Sequence, residues 1–166
     1  MTETRKPRIA KISKAEAEEQ IENYLSAHHF IVLGTCKDNT PVSTTYAYAS
    51  RGTNIFIFTG GTRTVENIEK NPKVSFGIYT EFPYHPVQGI NGRGRVEIIK
   101  QGDEQFVDGW KTFCEKPILQ KEEPWANMEY LKKISPGVRL LKIIPDEIVL
   151  LDSSRNDSPY IAWNRE

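Results

Sequence analysis

Residues 55–68 read Ile55-Phe56-Ile57-Phe58-Thr59-Gly60-Gly61-Thr62-Arg63-Thr64-Val65-Glu66-Asn67-Ile68. Four apolar residues in a row, Ile55 to Phe58, make a short buried strand. Thr59-Gly60-Gly61-Thr62 breaks it, since paired glycines permit a tight turn. Residues 63–70 then suit a short helix. It stops at Asn71-Pro72, because the residue before proline avoids the α region. The result is strand, turn and helix N-terminus, with hydroxyls and one arginine at the junction. Such an N-terminus carries unpaired N–H groups and a partial positive charge. Arg63 adds a permanently charged fork. Together these suit the phosphate of a small molecule. A plain N-cap beside an exposed arginine is the competing reading.

Outward from this junction, strands dominate. Phe30-Ile31-Val32-Leu33 is a short buried run. Asp38-Asn39 is turn chemistry, and Pro41 opens a strand in which Val42, Thr44, Tyr46 and Tyr48 alternate with Ser43, Thr45, Ala47 and Ala49. Arg51 to Asn54 forms a hairpin loop. These three strands follow one another by short links, which predicts antiparallel pairing. Val74, Phe76 and Ile78 alternate in a fourth strand. Residues 87–99 make a long fifth strand whose interior Gly89, Gly92 and Gly94 signal a bulge, a bend or a close backbone approach. A sixth strand covers 138–151, with a bulge expected at Pro145-Asp146. Six strands, mostly meandering, favour a closed or partly closed barrel, because closure removes exposed edges.

Helices flank them. Ser13 and Glu16 have capping-box spacing, and Ala17, Ile21, Tyr24 and Leu25 form one stripe, so a helix is expected over 14–27. Phe106, Trp110, Phe113 and Cys114 repeat the pattern over 103–116, and a short helix is expected near 125–133. The chain reads as a single domain, 1–166, with a loose arm at 1–12, a helical insertion at 102–136 and a polar tail at 152–166. Tyr160 and Trp163 imply that the tail packs on something. The insertion could serve as a lid or as dimer packing.

Lysine plus arginine number 22, as do aspartate plus glutamate, for a net charge of zero. That balance argues against a nucleic-acid coat. No apolar run is long enough to span a membrane and the start is polar, so a cytoplasmic protein with no membrane partner is expected. Cys36 and Cys114 lack metal or disulfide spacing and read as core. His28-His29 reads as a helix C-cap, since no third metal ligand lies nearby. His85 sits between prolines, and a role as an acid near a ligand is the minor reading. Glu122-Glu123 and Lys132-Lys133 read as solvated faces, Trp110 and Trp125 as core or dimer interface. GxxxxGK[ST] is absent, and Gly89-x-x-Gly92-x-Gly94 has neither the spacing nor the place of a dinucleotide fingerprint.

The order of segments resembles the pyridoxamine 5′-phosphate oxidase-like FMN-binding split-barrel proteins. It is carried by the Pro41-opened strand, the strand ending Phe58-Thr59, Arg63-Thr64, Asn67-Ile68, Asn71-Pro72-Lys73-Val74, and Gly92-Arg93-Gly94-Arg95-Val96, and covers about residues 13–151. It implies a mainly β (α+β) fold, a six-stranded antiparallel Greek-key split β-barrel with flanking helices. It also implies a homodimer with two FMN molecules at its interface. Arg63 and Thr64 would hold the phosphate. Phe58, Thr59 and Gly60 would flank phosphate and ribityl chain. Thr44, Thr45 and Tyr46 would line the isoalloxazine, partly by backbone groups, and Gln88 would reach the partner's flavin. The implied activity is an FMN-dependent oxidoreductase moving two electrons between FMN and a reduced nicotinamide, NAD(P)H, or a small organic substrate. No side chain stands out as a catalytic acid or base. The alternatives are a flavin-binding redox sensor or carrier without turnover, or a relative that binds haem or a deazaflavin. The C-terminal Arg/His/Asp signature for pyridoxal phosphate is missing from Ser158–Glu166, so the resemblance does not extend to pyridoxamine oxidation itself.

Overall fold

Ser13 begins the ordered helix as expected: its hydroxyl accepts from the Glu16 N–H at 3.1 Å. In this computed structural model, which describes residues 8–80, 86–116 and 126–166, α1 runs Lys14–Ala27 and buries Ala17, Ile21, Tyr24 and Leu25. The strands are β1 (Phe30–Lys37), β2 (Thr40–Ala47), β3 (Ala49–Arg51), β4 (Asn54–Thr59), β5 (Lys73–Tyr79), β6 (Gln88–Ile99), β7 (Arg139–Asp152) and β8 (Tyr160–Asn164). The remaining helices are α2 (Thr62–Lys70) and α3 (Glu104–Cys114).

All named strand pairs are antiparallel, in the order β2-β1-β5-β6-β7-β4-β3, with β8 added on β7. The two ends of that path, β2 and β3, are separated in sequence by Tyr48 alone. One strand therefore bends from one margin of the sheet to the other, and the sheet must curl round it. This is the split barrel.

The six expected strands are eight among the described residues, for two reasons. The second strand breaks at Tyr48, where its first half pairs with β1 and its second with β4. The tail supplies β8, with Ile161 and Trp163 buried against the barrel. The loose arm is also shorter than 1–12. Ile9 bridges Tyr160, and the Ala10 N–H donates to the Tyr160 carbonyl at 2.7 Å. The helix expected near 125–133 is only a 3₁₀ turn at Tyr130–Lys133 among described residues. Its i→i+3 bonds, such as Tyr130 N–H to the Asn127 carbonyl at 3.2 Å, stop short of an α-helix. A segment this short, ending at Ser135-Pro136, does not repay helix nucleation. His85, Glu122-Glu123, Trp125, the proline-rich link and most of the basic arm lie outside the described residues.

The long β6–β7 ladder shifts register at Arg93/Gly94: Arg93 faces Glu147 while Gly94 faces Pro145. Asp146 is the extra residue, so the bulge falls at Pro145-Asp146 as expected. A Cβ at Gly94 would lie 2.3 Å from the Ile144 carbonyl oxygen and 2.7 Å from the Pro145 Cα. Only glycine permits that approach.

Cys36 departs from the core reading. The inward residues of β1 are Ile31, Leu33 and Thr35, and Cys36 is half-buried on the other face. The α3 stripe of Phe106, Trp110, Phe113 and Cys114 is buried as expected. Just beyond α3, Lys116 is 6% exposed. Its ammonium donates to the Tyr48 carbonyl at 2.9 Å and to the His28 carbonyl, and sits 4.0 Å from the Tyr48 ring centroid. The end of α3 is thereby tied to the bend that joins β2 to β3. Burial pushes Lys116 down to about 7.

Candidate functional site

The strand–turn–helix junction has the layout its sequence predicts. β4 ends at Thr59, which is buried, and its Oγ1 accepts from the Gly61 N–H at 2.9 Å. Gly61 is the N-cap of α2 and supplies no side-chain acceptor. The first N–H groups of the helix, at Thr62, Arg63 and Thr64, therefore lack the cap that Ser, Thr or Asp would provide. Gly60, Gly61, Thr62 and Arg63 are exposed. Arg63 makes no ion pair among the described residues. The α2 N-terminus is thus an open cradle of N–H donors with a free guanidinium at its edge, the arrangement that suits a phosphate dianion.

Thr64 differs from expectation in detail. Its side chain is buried, and its hydroxyl is hydrogen-bonded at 2.7 Å to that of Tyr46. What Thr64 turns to the cradle is its backbone N–H. The same bond fixes the first turn of α2 against β2, so Tyr46, Thr59, Gly61 and Thr64 form one cluster. Asn67 adds a second anchor, donating to Thr35 Oγ1 at 3.0 Å.

The other expected residues divide. Thr44 and Tyr46 share one face of β2, and Thr45 points to the opposite, exposed face. There it lines a hollow of about 470 Å³ with His28, His29, Phe30, Tyr79 and Thr80. Among the described residues β2 pairs only with β1, so its outer edge leaves backbone N–H and C=O groups unpaired in that sheet. That edge, rather than the side chains together, is what Thr44–Tyr46 could offer a flat ring. Gln88 starts β6, opposite Asp152, whereas Thr59 pairs with Arg139 beside the far end of the same ladder. About 35 Å of strand separates those ends, at about 3.3 Å per residue. Within one protomer Gln88 does not meet the cradle. Its side chain bonds Asp152 instead. There burial pushes the carboxyl up, but the Ser154 and Gln88 hydrogen bonds overcome it and hold the group below its ordinary value.

His28 caps α1 as read: Nδ1 donates to the Tyr24 carbonyl at 2.8 Å, and Nε2 is 2.9 Å from Thr80 Oγ1. The His29 Nδ1 is buried and has no hydrogen-bond partner among the described residues. Desolvation first, then Lys116 and His28, push that ring down.

One feature has no counterpart in the sequence reading. Beyond Thr59 and Gly60 opens a cleft of about 530 Å³, whose walls include Ala47, Phe58, Trp110, Phe113 and Tyr130, with Lys133 at one side. α3 forms one wall by lying close on β7. A Cβ at Gly109 would be 2.5 Å from Leu140 Cδ2. The aromatic stripe of α3 was visible as an apolar repeat, but a repeat does not say whether it packs fully or borders a cleft.

The family model described as pyridoxamine 5′-phosphate oxidase matches residues 17–152. The chain belongs to this family. Solved structures agree on the fold. A conserved hypothetical protein of Mycobacterium tuberculosis is 19% identical, with a TM-score of 0.64 over 96% of this chain and 89% of that one. A pyridoxamine 5′-phosphate oxidase-related, FMN-binding protein of Nostoc punctiforme is 13% identical, with a TM-score of 0.59 over 92% and 88%. A haem-binding protein of Mycobacterium smegmatis is 12% identical, with a TM-score of 0.65 over 94% and 60%. No curated protein matches. Across this family fold, then, relatives bind flavin or haem. Among the described residues, no helix is long and apolar enough to cross a membrane.

Proposed function

We propose that this member of the pyridoxamine 5′-phosphate oxidase family binds FMN and acts as a cytoplasmic flavin-dependent oxidoreductase, passing two electrons between the flavin and NAD(P)H or a small organic substrate. The observation that carries the reading is the uncapped N-terminus of α2 with exposed Arg63 beside it. Those donors fit a phosphate, and among the described residues they have no hydrogen-bond partner. FMN, when bound, supplies the redox chemistry, and the chain supplies binding and orientation. Arg63 and the N–H groups of Thr62–Thr64 hold the phosphate. Thr59 and Gly60 border the ribityl chain, and the free edge of β2 at Thr44–Tyr46 meets the ring.

Haem fits the described residues less well, because it needs an axial ligand. Both ring nitrogens of His28 are engaged, and His29 presents a buried Nδ1.

We further propose a homodimer. The outward face of β1 and β5 leaves Phe30 62% and Tyr79 59% exposed. Large aromatics on an uncovered sheet face are what a second copy would bury. In such a dimer the Gln88 that reaches a flavin would have to be the partner's, since a protomer's own Gln88 lies at the far end of the ladder from its cradle.

The absorbance spectrum of the purified protein tests the cofactor, and anaerobic addition of NADH or NADPH tests turnover. Flavin bands that bleach on addition support the reading. Flavin bands that do not bleach with either nucleotide, or with any organic reductant, leave a carrier or sensor. A Soret band, or a colourless protein that takes up no FMN, contradicts it.

A further inference from the structure

A phosphate monoester carries roughly 1.5 to 2 negative charges at neutral pH. Arg63 supplies one positive charge, and the start of α2 about half of one. That falls short of a dianion. A further cation stands beside the cradle, on β7.

Thr59, whose hydroxyl accepts from the Gly61 N–H, is paired with Arg139 across the β4–β7 ladder. Directly opposed residues send their side chains to the same face of a sheet. The neighbouring pair on that face is Ile57 and Leu141, both buried in the barrel core. Thr59 and Arg139 follow at the mouth of the barrel, where the chain turns through Gly60 and Gly61 into α2. Two contacts close this corner. The Val138 side chain lies 4.0 Å from where a Cβ at Gly60 would stand, so the start of β7 rests on the glycine turn. The Tyr46 hydroxyl lies 3.7 Å from the corresponding point at Gly61.

Arg139 is half-buried, yet it makes no ion pair with a described residue. Its Nη1 donates to the carbonyls of Pro136 and Val138 at 2.9 and 3.1 Å. Those bonds fix the side chain and occupy one nitrogen. Nε and Nη2 have no hydrogen-bond partner among the described residues. A guanidinium partly withdrawn from water, with donors to spare and no carboxylate beside it, is stabilised by an anion that meets it.

We propose that Arg139 is a second anion-binding side chain of the α2 cradle, joining Arg63 and the helix N–H groups on one phosphate, and that the two guanidinium groups make the site select a terminal phosphate monoester. The identity of that monoester as FMN rests on the flavin reading, whereas the anion contact does not.

The test titrates FMN, riboflavin and inorganic phosphate into wild-type protein, Arg139→Gln and Arg139→Lys, with the flavins followed by fluorescence quenching and phosphate by ³¹P NMR. Arg139→Gln is expected to bind FMN roughly tenfold to a hundredfold more weakly, to bind riboflavin as the wild type does, and to lose phosphate affinity by a similar factor. Arg139→Lys keeps the charge without the fork and falls between the two. A residue that only pins the Pro136–Val138 turn would move riboflavin together with FMN, so equal losses for both flavins overturn the proposal. So do wild-type FMN and phosphate affinities in Arg139→Gln. Should Arg139→Gln not fold, Arg139→Lys decides: weakened FMN beside unchanged riboflavin supports the contact, and unchanged FMN overturns it. Wild-type protein that binds phosphate but no flavin, with phosphate lost in the variants, supports the contact and sinks only the flavin reading. Wild-type protein that binds neither FMN nor phosphate overturns both.

Discussion

Lys116 makes the stability of this protein depend on pH in a window that other groups leave clear. Its ammonium is buried between α3 and the bend at Tyr48, and burial lowers its pKa from 10.5 to about 7. Between those values the unfolded chain holds a proton that the folded chain does not. Stability therefore rises with pH across the window and levels off at its lowest below the folded value, where both states hold the proton. The neutral amine still has two N–H donors for the carbonyls of His28 and Tyr48, so deprotonation leaves the contacts made. From about pH 7 to about pH 9, linkage predicts a gain of about 2 kcal/mol. Other shifted groups act outside that span. His29 is pushed down and titrates below it, and burial pushes Cys114, Tyr24 and Tyr48 up, so they cost stability only at higher pH. Urea unfolding followed by tryptophan fluorescence measures the gain. Lys116→Met keeps the length of the side chain and removes the titration, so its stability should be flat over the same range. A flat wild type, or a variant with the same rise, refutes the assignment of a buried titrating amine at this bend.

Gly94→Ala should destabilise by at least about 3 kcal/mol in urea unfolding, the top of the range for overpacking, because its Cβ would meet backbone on β7 rather than a side chain that can swing away. A loss under about 1 kcal/mol would show that the bulge relaxes freely. Tyr46→Phe should cost about 1 kcal/mol by the same assay, since it strands the buried Thr64 hydroxyl. An unchanged stability would mean that α2 is not held there. Phe30→Arg, on the exposed sheet face, should convert the proposed dimer to monomer in sedimentation. A dimer of wild-type stability would contradict this choice of face.

Local signals were legible where they coincide with local structure. The Ser13 cap and the Ala17–Leu25 stripe place α1 at its observed bounds, and the paired glycines after Phe58 place the open start of α2. Pro145-Asp146 marked the bulge that Gly94 makes possible. What was not legible depends on distant partners. The alternation from Val42 to Ala49 runs through Tyr48 without interruption, so nothing in it marks the bend that curls the sheet. β8 needs the free edge of β7 before Tyr160 and Trp163 acquire meaning. Cys36 reads as core because strand periodicity does not reveal which face is inward when both faces carry small residues. The burial of Lys116 left no signal, since burial of a lysine by the carbonyls of two other elements leaves no trace in its sequence neighbours. The cleft is hidden for the same reason: Phe58, Trp110 and Lys133 come from three separate segments.

FMN titration of the wild-type protein against Arg63→Ala tests the cradle most directly, with flavin fluorescence quenching as the readout. The account predicts one FMN bound per chain and a loss of about 1.5–3 kcal/mol on removing the guanidinium, roughly tenfold to a hundredfold in affinity, with the fold unchanged by circular dichroism. FMN bound equally well by both proteins would contradict it, because the phosphate would then lie somewhere other than the N-terminus of α2.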